Sequence, residues 1–362
     1  MPGLKKSVRK VHRWVSLAAA GFWVLQAATG VLMVFHWELD DLIIAAPHQR
    51  TDLAAIERRL QMLAPRGSHS TIDSLWTGAG LPDRWDATVT NNATGKSDVV
   101  RLDGGGDILR VRHDGDLIAN GGWIDSLDLL HQTLLAGSAG SWVVGLSGAL
   151  LFSNLVMGLV LAWPKRGMWR RSLTPPRAAD PPAARYYGWH RAFGLCIVVP
   201  SLLLVASGVE RVFPDGFEAS IGVTGPELKS VPPAGAGIGL TEAVARSVAL
   251  HPGARLAGVS FPASNNAMWR VRLLAPGEMR RAYGMTTVWL DANDGRVLAD
   301  RDAVRAPFRQ RFADGILPFH TGELAGLPGR LAVMAAGAGL ISLMAIGLSL
   351  WLARRRTARK AI

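Results

Sequence analysis

Four long apolar stretches interrupt an otherwise polar chain, and each is close to the length that a membrane-spanning helix needs. A helix rises about 1.5 Å per residue, so roughly 20 apolar residues cross the hydrocarbon core of a bilayer. The first stretch is longer than the apolar core of a cleaved signal peptide, and acidic residues follow it. We therefore predict four retained transmembrane helices, over Trp14–Phe35, Trp142–Trp163, Phe193–Phe213 and Leu331–Leu352.

The polar segments between these stretches carry patterns typical of small α+β domains. Each segment has one helical pattern, and the second segment also has three stretches that alternate as strands do, followed by a tight turn at 293–295 and a fourth strand. The first segment shows only a weaker echo of these strands. The predicted helices are Asp52–Leu63 and Thr241–Leu250, and the predicted strands are Ile108–Arg112, Leu117–Ala119, Arg255–Phe261, Met268–Leu274, Thr286–Leu290 and Arg296–Leu298.

These patterns predict a mainly α membrane protein in which each half contributes a helix, an outer domain and a second helix. Because both halves begin on the same side, we expect two parallel-topology repeats related by an axis along the membrane normal. The predicted segments are 1–36 (N-terminus and first span), 37–130 (first outer domain), 131–163 (interfacial segment and second span), 164–190 (loop), 191–213 (third span), 214–319 (second outer domain) and 320–362 (interfacial segment, fourth span and tail).

The charge of the chain predicts its orientation. The formal net charge is +12, and the basic residues crowd before the first apolar stretch, between the second and third, and after the last. This is the positive-inside pattern, so we place both termini and the loop in the cytoplasm, surround the spans with lipid, and exclude nucleic acid as a partner. The only cysteine, Cys196, lies within the third stretch. It excludes an intramolecular disulfide and argues against a cysteine-ligated metal site.

Four histidines recur in two matching settings at the ends of the apolar stretches. His12 and His190, 178 residues apart, each open an HR dipeptide, and a glycine follows each 18 positions later. His131 and His320, 189 residues apart, each precede glycines at the sixth and ninth following positions. Neutral imidazole is a common ligand of metals and of haem iron. We therefore predict one haem between His12 and His190 on the cytoplasmic side and another between His131 and His320 on the outer side.

Simpler interpretations of the same residues remain open at this stage. An interfacial histidine beside arginine can contact lipid headgroups, and glycines in membrane helices often serve close packing. His36 lies near the outer end of the first span, but its counterpart in the second half is Pro214, so it is kept as a reserve ligand. A basic group at 270, 272, 280 and 281 either forms a solvated strand face or steers an anionic iron chelate.

Short motifs give the chain a family resemblance. The helix and strand hairpin that end in VWLDANDGRVL resemble a PepSY domain. Together with HRW, LLHQTLLAG, HRAFG and FHTGELAGLPGR at the four spans, they make the whole chain similar to the PepSY-associated transmembrane family. Within that family the chain looks most like the bacterial inner-membrane ferric-siderophore reductases.

The resemblance implies an oxidoreductase with two b-type haems, two PepSY-like extracytoplasmic domains and a multi-pass location in the inner membrane. It would reduce the iron of a ferric siderophore and release Fe(II) outside the cytoplasm. The 164–190 loop has no nucleotide-binding motif, so the electron donor would be a cytoplasmic reductase or a membrane quinol. Two alternatives remain, namely a non-enzymatic anchor or regulator of a peptidase or signalling partner, and a siderophore permease.

Overall fold

The structure is a computed structural model that describes residues 2–65, 67–78, 81, 83–235 and 237–360. The helices are α1 (Pro2–Met33), α2 (His36–Ile43), α3 (Leu53–Leu63), α4 (Gly122–Thr133), α5 (Gly137–Ala162), α6 (Trp169–Leu173), α7 (Pro182–Val212), α8 (Pro214–Ser220), α9 (Leu240–Leu250), α10 (Phe308–His320) and α11 (Gly326–Lys360). The strands are β1 (Ser70–Thr77), β2 (Arg84–Asn91), β3 (Lys96–Asp103), β4 (Ile108–Arg112), β5 (Arg255–Ser260), β6 (Met268–Leu274), β7 (Thr286–Asp291) and β8 (Val297–Arg301).

The chain divides into two compact units. The helical unit comprises residues 1–34, 127–215 and 319–362, and the sheet unit comprises residues 35–126 and 216–318. Helices α1, α5, α7 and α11 are long and apolar enough to cross a membrane, which confirms the four predicted spans. Each extends beyond its predicted apolar stretch because polar residues continue the helix past the hydrocarbon-length core.

The four long helices of the helical unit pack in a ring. Helices α1 and α7 each contact both α5 and α11. Polar contacts reinforce the α1–α5 pair, since Trp23 Nε1 donates to Ser147 Oγ at 3.0 Å and Asn154 Nδ2 donates to Ser16 Oγ at 2.9 Å. Buried hydrogen bonds between helices are satisfied here without water, as a membrane interior requires.

The sheet unit contains one continuous antiparallel sheet to which both polar segments contribute four strands. Its order is β4-β3-β2-β1-β5-β6-β7-β8, and the two halves join where β1 pairs with β5. Helices α3 and α9 supply apolar side chains to a core that also includes Leu75, Val100 and Val271 from the sheet. The two polar segments, each predicted as a domain, therefore share one sheet and one core.

Several elements of the sheet unit differ from the sequence prediction. The predicted helices and the strands β4 to β7 are present at nearly the predicted bounds. The predicted strand at 117–119 is wrong, because the chain bends there and enters a short 3₁₀ turn at Ala119–Gly121. Strands β1, β2 and β3 went unpredicted. Their alternation is masked by charged residues such as Arg84 and Asp103, which are buried because they have partners within the fold.

Candidate haem-binding sites

The predicted inner pair of histidines comes together in the helical unit. His12 on α1 and His190 on α7 have ring centroids 6.5 Å apart and ring planes inclined by 55°. An iron atom bound by two imidazoles, with bonds of about 2 Å each, separates the ring centroids by roughly 6 to 6.5 Å. The observed spacing therefore matches the spacing required of two axial ligands on one haem iron.

Each ring of the inner pair lies in a notch formed by a glycine on a neighbouring helix. The Nδ1 atom of His12 is 3.1 Å from the carbonyl oxygen of Asn154, and a Cβ at Gly158 would lie 3.2 Å from the ring. The buried Nδ1 atom of His190 lies near the backbone of Leu343, and a Cβ at Gly347 would lie 3.1 Å from its ring. In both cases the glycine follows the backbone contact by four residues, which is about one helical turn.

The outer histidines occupy the same kind of notch on the other pair of helices. His131, on α4, places its Nδ1 atom 2.9 Å from Thr29 Oγ1 on α1, and a Cβ at Gly30 would lie 3.0 Å from the ring. The Thr29 hydroxyl is also within hydrogen-bond distance of the backbone carbonyls of Leu25 and Gln26. Because its single proton serves those carbonyls, its oxygen is free to accept a proton from His131.

His320, on α10, repeats this arrangement against α7. Its Nδ1 atom is 3.1 Å from the carbonyl oxygen of Leu204 and 3.0 Å from Ser207 Oγ, and a Cβ at Gly208 would lie 3.0 Å from the ring. The Ser207 hydroxyl donates to the Leu204 carbonyl at 2.8 Å. A carbonyl oxygen can only accept, so the proton of the neutral His320 imidazole resides on Nδ1.

These contacts set the chemistry of the ring nitrogens. A proton held on Nδ1 leaves the lone pair of Nε2 available to a metal, and a partner on Nδ1 fixes the ring orientation. Burial lowers the pKa of His131, and burial together with the proximity of His131 lowers the pKa of His320 to about 4. Both outer rings are therefore neutral at pH 7, the protonation state in which histidine acts as a ligand.

The turns after the outer histidines explain the glycines at the sixth and ninth positions. Gly137 and Gly326, six positions after His131 and His320, have φ angles of 56° and 64°. A glycine adopts this left-handed conformation at little cost. A Cβ at Gly140 or Gly329 would lie only 1.6 Å or 2.2 Å from the backbone oxygen two residues after the preceding histidine. Both glycines are therefore required for the turn that holds each outer histidine.

The structure distributes the five predicted site residues between the two units. His12, His131, His190 and His320 all belong to the helical unit, whereas His36 begins α2 in the sheet unit. The ring of His36 lies 4.8 Å from that of Trp37. The reserve role of His36 stays a prediction.

Sequence reasoning did not identify the glycines that form the inner notches. Gly158 and Gly347 each lie 27 positions after an outer histidine, so the spacing that was read for the other glycines also contained this signal. The glycines 18 positions after His12 and His190 were recognised. Their actual role is to receive the outer histidines rather than the histidines from which they were counted.

The arrangement suits haem better than a bare metal ion. Among the described residues no group of three or more His, Cys, Asp or Glu side chains is placed to hold a metal ion. Haem brings four nitrogen ligands of its own and needs only axial ligands from the protein, so a pair of imidazoles is sufficient. Small residues beside the rings also leave room for a flat macrocycle.

Comparison with known proteins gives one match. A family described as the PepSY-associated TM region matches residues 9–354 of the chain. No curated protein matches the chain significantly.

Proposed function

The chain belongs to the PepSY-associated transmembrane family, and on that premise we propose that it is a di-haem reductase of the bacterial inner membrane. It would pass electrons across the membrane to the ferric iron of a siderophore outside the cytoplasm and release Fe(II). The observation that carries the proposal is the fourfold arrangement of a buried imidazole, a backbone carbonyl and a glycine one turn later.

Each pair of histidines would hold one b-type haem, which supplies a one-electron redox centre when bound. The remaining contributions come from the chain itself. The partners of Nδ1 keep the proton away from Nε2 and orient each ring, and the notch glycines admit the imidazoles between closely packed helices. His12 and Gly30 are 18 residues apart on α1, so the two sites lie about 27 Å apart along this helix. This separation spans most of a bilayer core.

The net reaction balances with a membrane quinol as the donor. One quinol gives two electrons and two protons on oxidation to quinone, and the two electrons reduce two Fe(III) ions to Fe(II). A cytoplasmic reductase could supply the same electrons. Reduction favours release because hard oxygen ligands hold Fe(III) more tightly than the softer, less charged Fe(II). The siderophore itself keeps all of its covalent bonds.

The proposal includes an orientation and a symmetry. Both termini and the 164–190 loop would be cytoplasmic, because the basic residues lie beside them. The two halves would be parallel repeats, because the histidines, notch glycines and turn glycines recur in the same order in each half. The sheet unit would then lie outside the cytoplasm, where a ferric chelate arrives.

Optical spectra of the purified protein test the proposal. The full chain is expressed with haem precursors supplied, purified in detergent, and measured oxidised and then after dithionite reduction. We expect a reducible b-type spectrum and about two haems per chain. A colourless preparation would contradict the reductase and favour the anchor or regulator.

A liposome assay then tests electron transfer. The protein is reconstituted with a reductant enclosed inside and a ferric chelate outside, and Fe(II) is captured by an external colorimetric chelator. The double variant His12→Ala/His131→Ala lacks one ligand of each pair and should be inactive. The matched control His113→Ala removes an exposed histidine of the sheet unit and should keep full activity. A haem-loaded wild-type protein that fails to reduce the chelate would refute the proposed activity.

A further inference from the structure

The face of the sheet opposite the core carries a row of arginines. Strand β6 alternates between buried Trp269, Val271 and Leu273 on the core face and half-buried Arg270 and Arg272 on the other. In the other half of the same sheet, Arg101 on β3 and Arg110 on β4 are cross-strand partners. These two groups of arginines belong to the same unit but differ in their partners.

The arginines of the first half are neutralised by carboxylates. Arg101 binds both oxygens of Asp86, at 2.7 and 2.6 Å, and also binds Asp40 at 2.5 Å. Arg110 binds both oxygens of Asp40, at 2.8 and 2.6 Å. Asp40 is almost fully buried, so these are bidentate ion pairs of the kind that stabilise a fold.

The arginines of the second half lack such partners. Among the described residues, no hydrogen bond is made to the buried Nε atom of Arg270 or of Arg272. The one acidic group that raises the pKa of Arg272 is Asp314, whose carboxylate is already held by Arg301 through contacts of 2.6 and 2.7 Å. The main-chain oxygen of Asp314 accepts a further bond, at 2.7 Å, from Arg281.

The resulting cluster has an excess of positive charge in a partly dehydrated place. Burial, followed by the proximity of Arg270, Arg281 and Arg301, lowers the pKa of Arg272 to about 10. Burial and then Arg301 lower the pKa of Arg270. Guanidinium groups that repel one another and lack hydrogen-bond partners are stabilised when an anion binds to them.

Aromatic rings flank these guanidinium groups. The ring of Trp76 lies flat on Gly258, where a Cβ would be only 2.1 Å from it, and the Arg272 guanidinium lies 5.5 Å above the Trp76 ring centroid. Tyr283 meets Trp76 edge to face at 5.7 Å. Trp289 is the cross-strand partner of Arg270. Planar donors beside aromatic faces match a planar acid group.

We infer that Arg270 and Arg272 form a binding site for a carboxylate of an anionic ferric chelate. The inference rests on the proposed function and adds the substrate class, namely chelates that present free or metal-bound carboxylates. A guanidinium fork binds a carboxylate through two parallel hydrogen bonds, and the surrounding positive charge attracts an anion from a distance. In the first half of the sheet the protein's own aspartates fill this role.

Direct binding of gallium(III) citrate to the detergent-purified full chain tests the inference. Gallium(III) resembles ferric iron in ligand preference but is not reduced under these conditions, so binding is measured by calorimetry apart from any electron transfer. We expect Arg270→Gln and Arg272→Gln each to weaken binding about tenfold or more, as the loss of a charged hydrogen bond implies. The control Arg305→Gln removes an arginine that is 88% exposed and should change the Kd less than twofold.

Three results would overturn the inference. The first is an unchanged Kd in both cluster variants, and the second is equal weakening in the Arg305→Gln control. The third is loss of haem from the cluster variants, because it would assign the arginines to a haem propionate, which carries the same carboxylate chemistry. A thermal unfolding midpoint close to that of the wild type shows that each variant is folded.

Reduction kinetics separate this inference from the proposed function. With ferric citrate, the cluster variants should show a raised KM and a nearly unchanged kcat. With ferrioxamine B, a cationic trihydroxamate chelate, neither constant should change. If no chelate is reduced but gallium(III) citrate binds through the cluster, the reductase proposal fails and the binding site stands. If reduction occurs and citrate is bound equally by all variants, the reverse holds.

Discussion

Gly158 lies directly against the imidazole of His12, so that a Cβ at position 158 would fall 3.2 Å from Cε1 of the ring. The contact joins a residue of α5 to a histidine 146 positions earlier on α1. A methyl group could be accommodated by a shift of a few tenths of an ångström, but a larger side chain would occupy the space of the ring. The glycine is therefore a condition for placing His12 where it faces His190.

Enlarging Gly158 should remove the inner haem. In Gly158→Leu the side chain displaces the His12 ring, so we expect the haem content to fall from about two to about one per chain, measured from the reduced pyridine haemochrome. The matched control is Gly21→Leu, since no atom lies within 4 Å of a Cβ at that position on α1. The prediction fails if the two variants contain equal amounts of haem.

Removing one outer histidine should affect only the outer haem. His131→Ala and His320→Ala each take away one of two axial ligands, so each variant should keep one haem with an unchanged spectrum of the inner site. Replacing both in one chain should remove no further haem, because the pair acts as a unit. His36→Ala should retain both haems, and loss of one in that variant would make His36 a ligand.

Removing the hydroxyl beside His320 should tune the outer site without emptying it. In Ser207→Ala the Nδ1 proton keeps the Leu204 carbonyl as an acceptor and loses the hydroxyl oxygen at 3.0 Å. A weaker acceptor makes the imidazole a weaker electron donor, which stabilises the ferric form less. The midpoint potential of one haem should therefore rise, by up to about 60 mV if the change is tenfold. A redox titration of haem absorbance measures it.

The control for the potential is Ser342→Ala, which removes an exposed hydroxyl on α11 that donates to the Ala338 carbonyl within its own helix. It should leave both potentials unchanged. A fall in the Ser207→Ala potential would contradict the assigned direction of the hydrogen bond.

Removing the carboxylate between Arg101 and Arg110 should destabilise the sheet unit. Asp40→Asn leaves two poorly exposed guanidinium groups without their shared anion, and such a change costs about 3–5 kcal/mol. For a unit of this size the thermal midpoint should fall by roughly 10 °C, followed by tryptophan fluorescence. The control Asp107→Asn removes a 70% exposed partner of Arg59, and we expect it to cost less than about 1 kcal/mol. Equal effects would exclude a special role for burial.

The sequence predicted the local elements whose patterns depend on near neighbours. The four spans follow from runs of apolar residues, and α3, α9 and β6 follow from periodicity at nearly their observed bounds. Strands β1 to β3 escaped prediction because their charged residues are satisfied by distant partners. The Asp41 carboxylate, for example, binds Arg84 from 43 positions away.

By itself the sequence determined which histidines recur, in what settings, and at which ends of which spans, because repeated spacing is visible along one dimension. Only the tertiary structure decided which glycine receives which histidine. Gly30 follows His12 in sequence but holds His131, because helix packing brings together residues about 100 positions apart. The tertiary structure likewise decided that some arginines of the sheet have aspartate partners and others do not. Side-chain pairing across strands depends on distance in space, which sequence separation does not record.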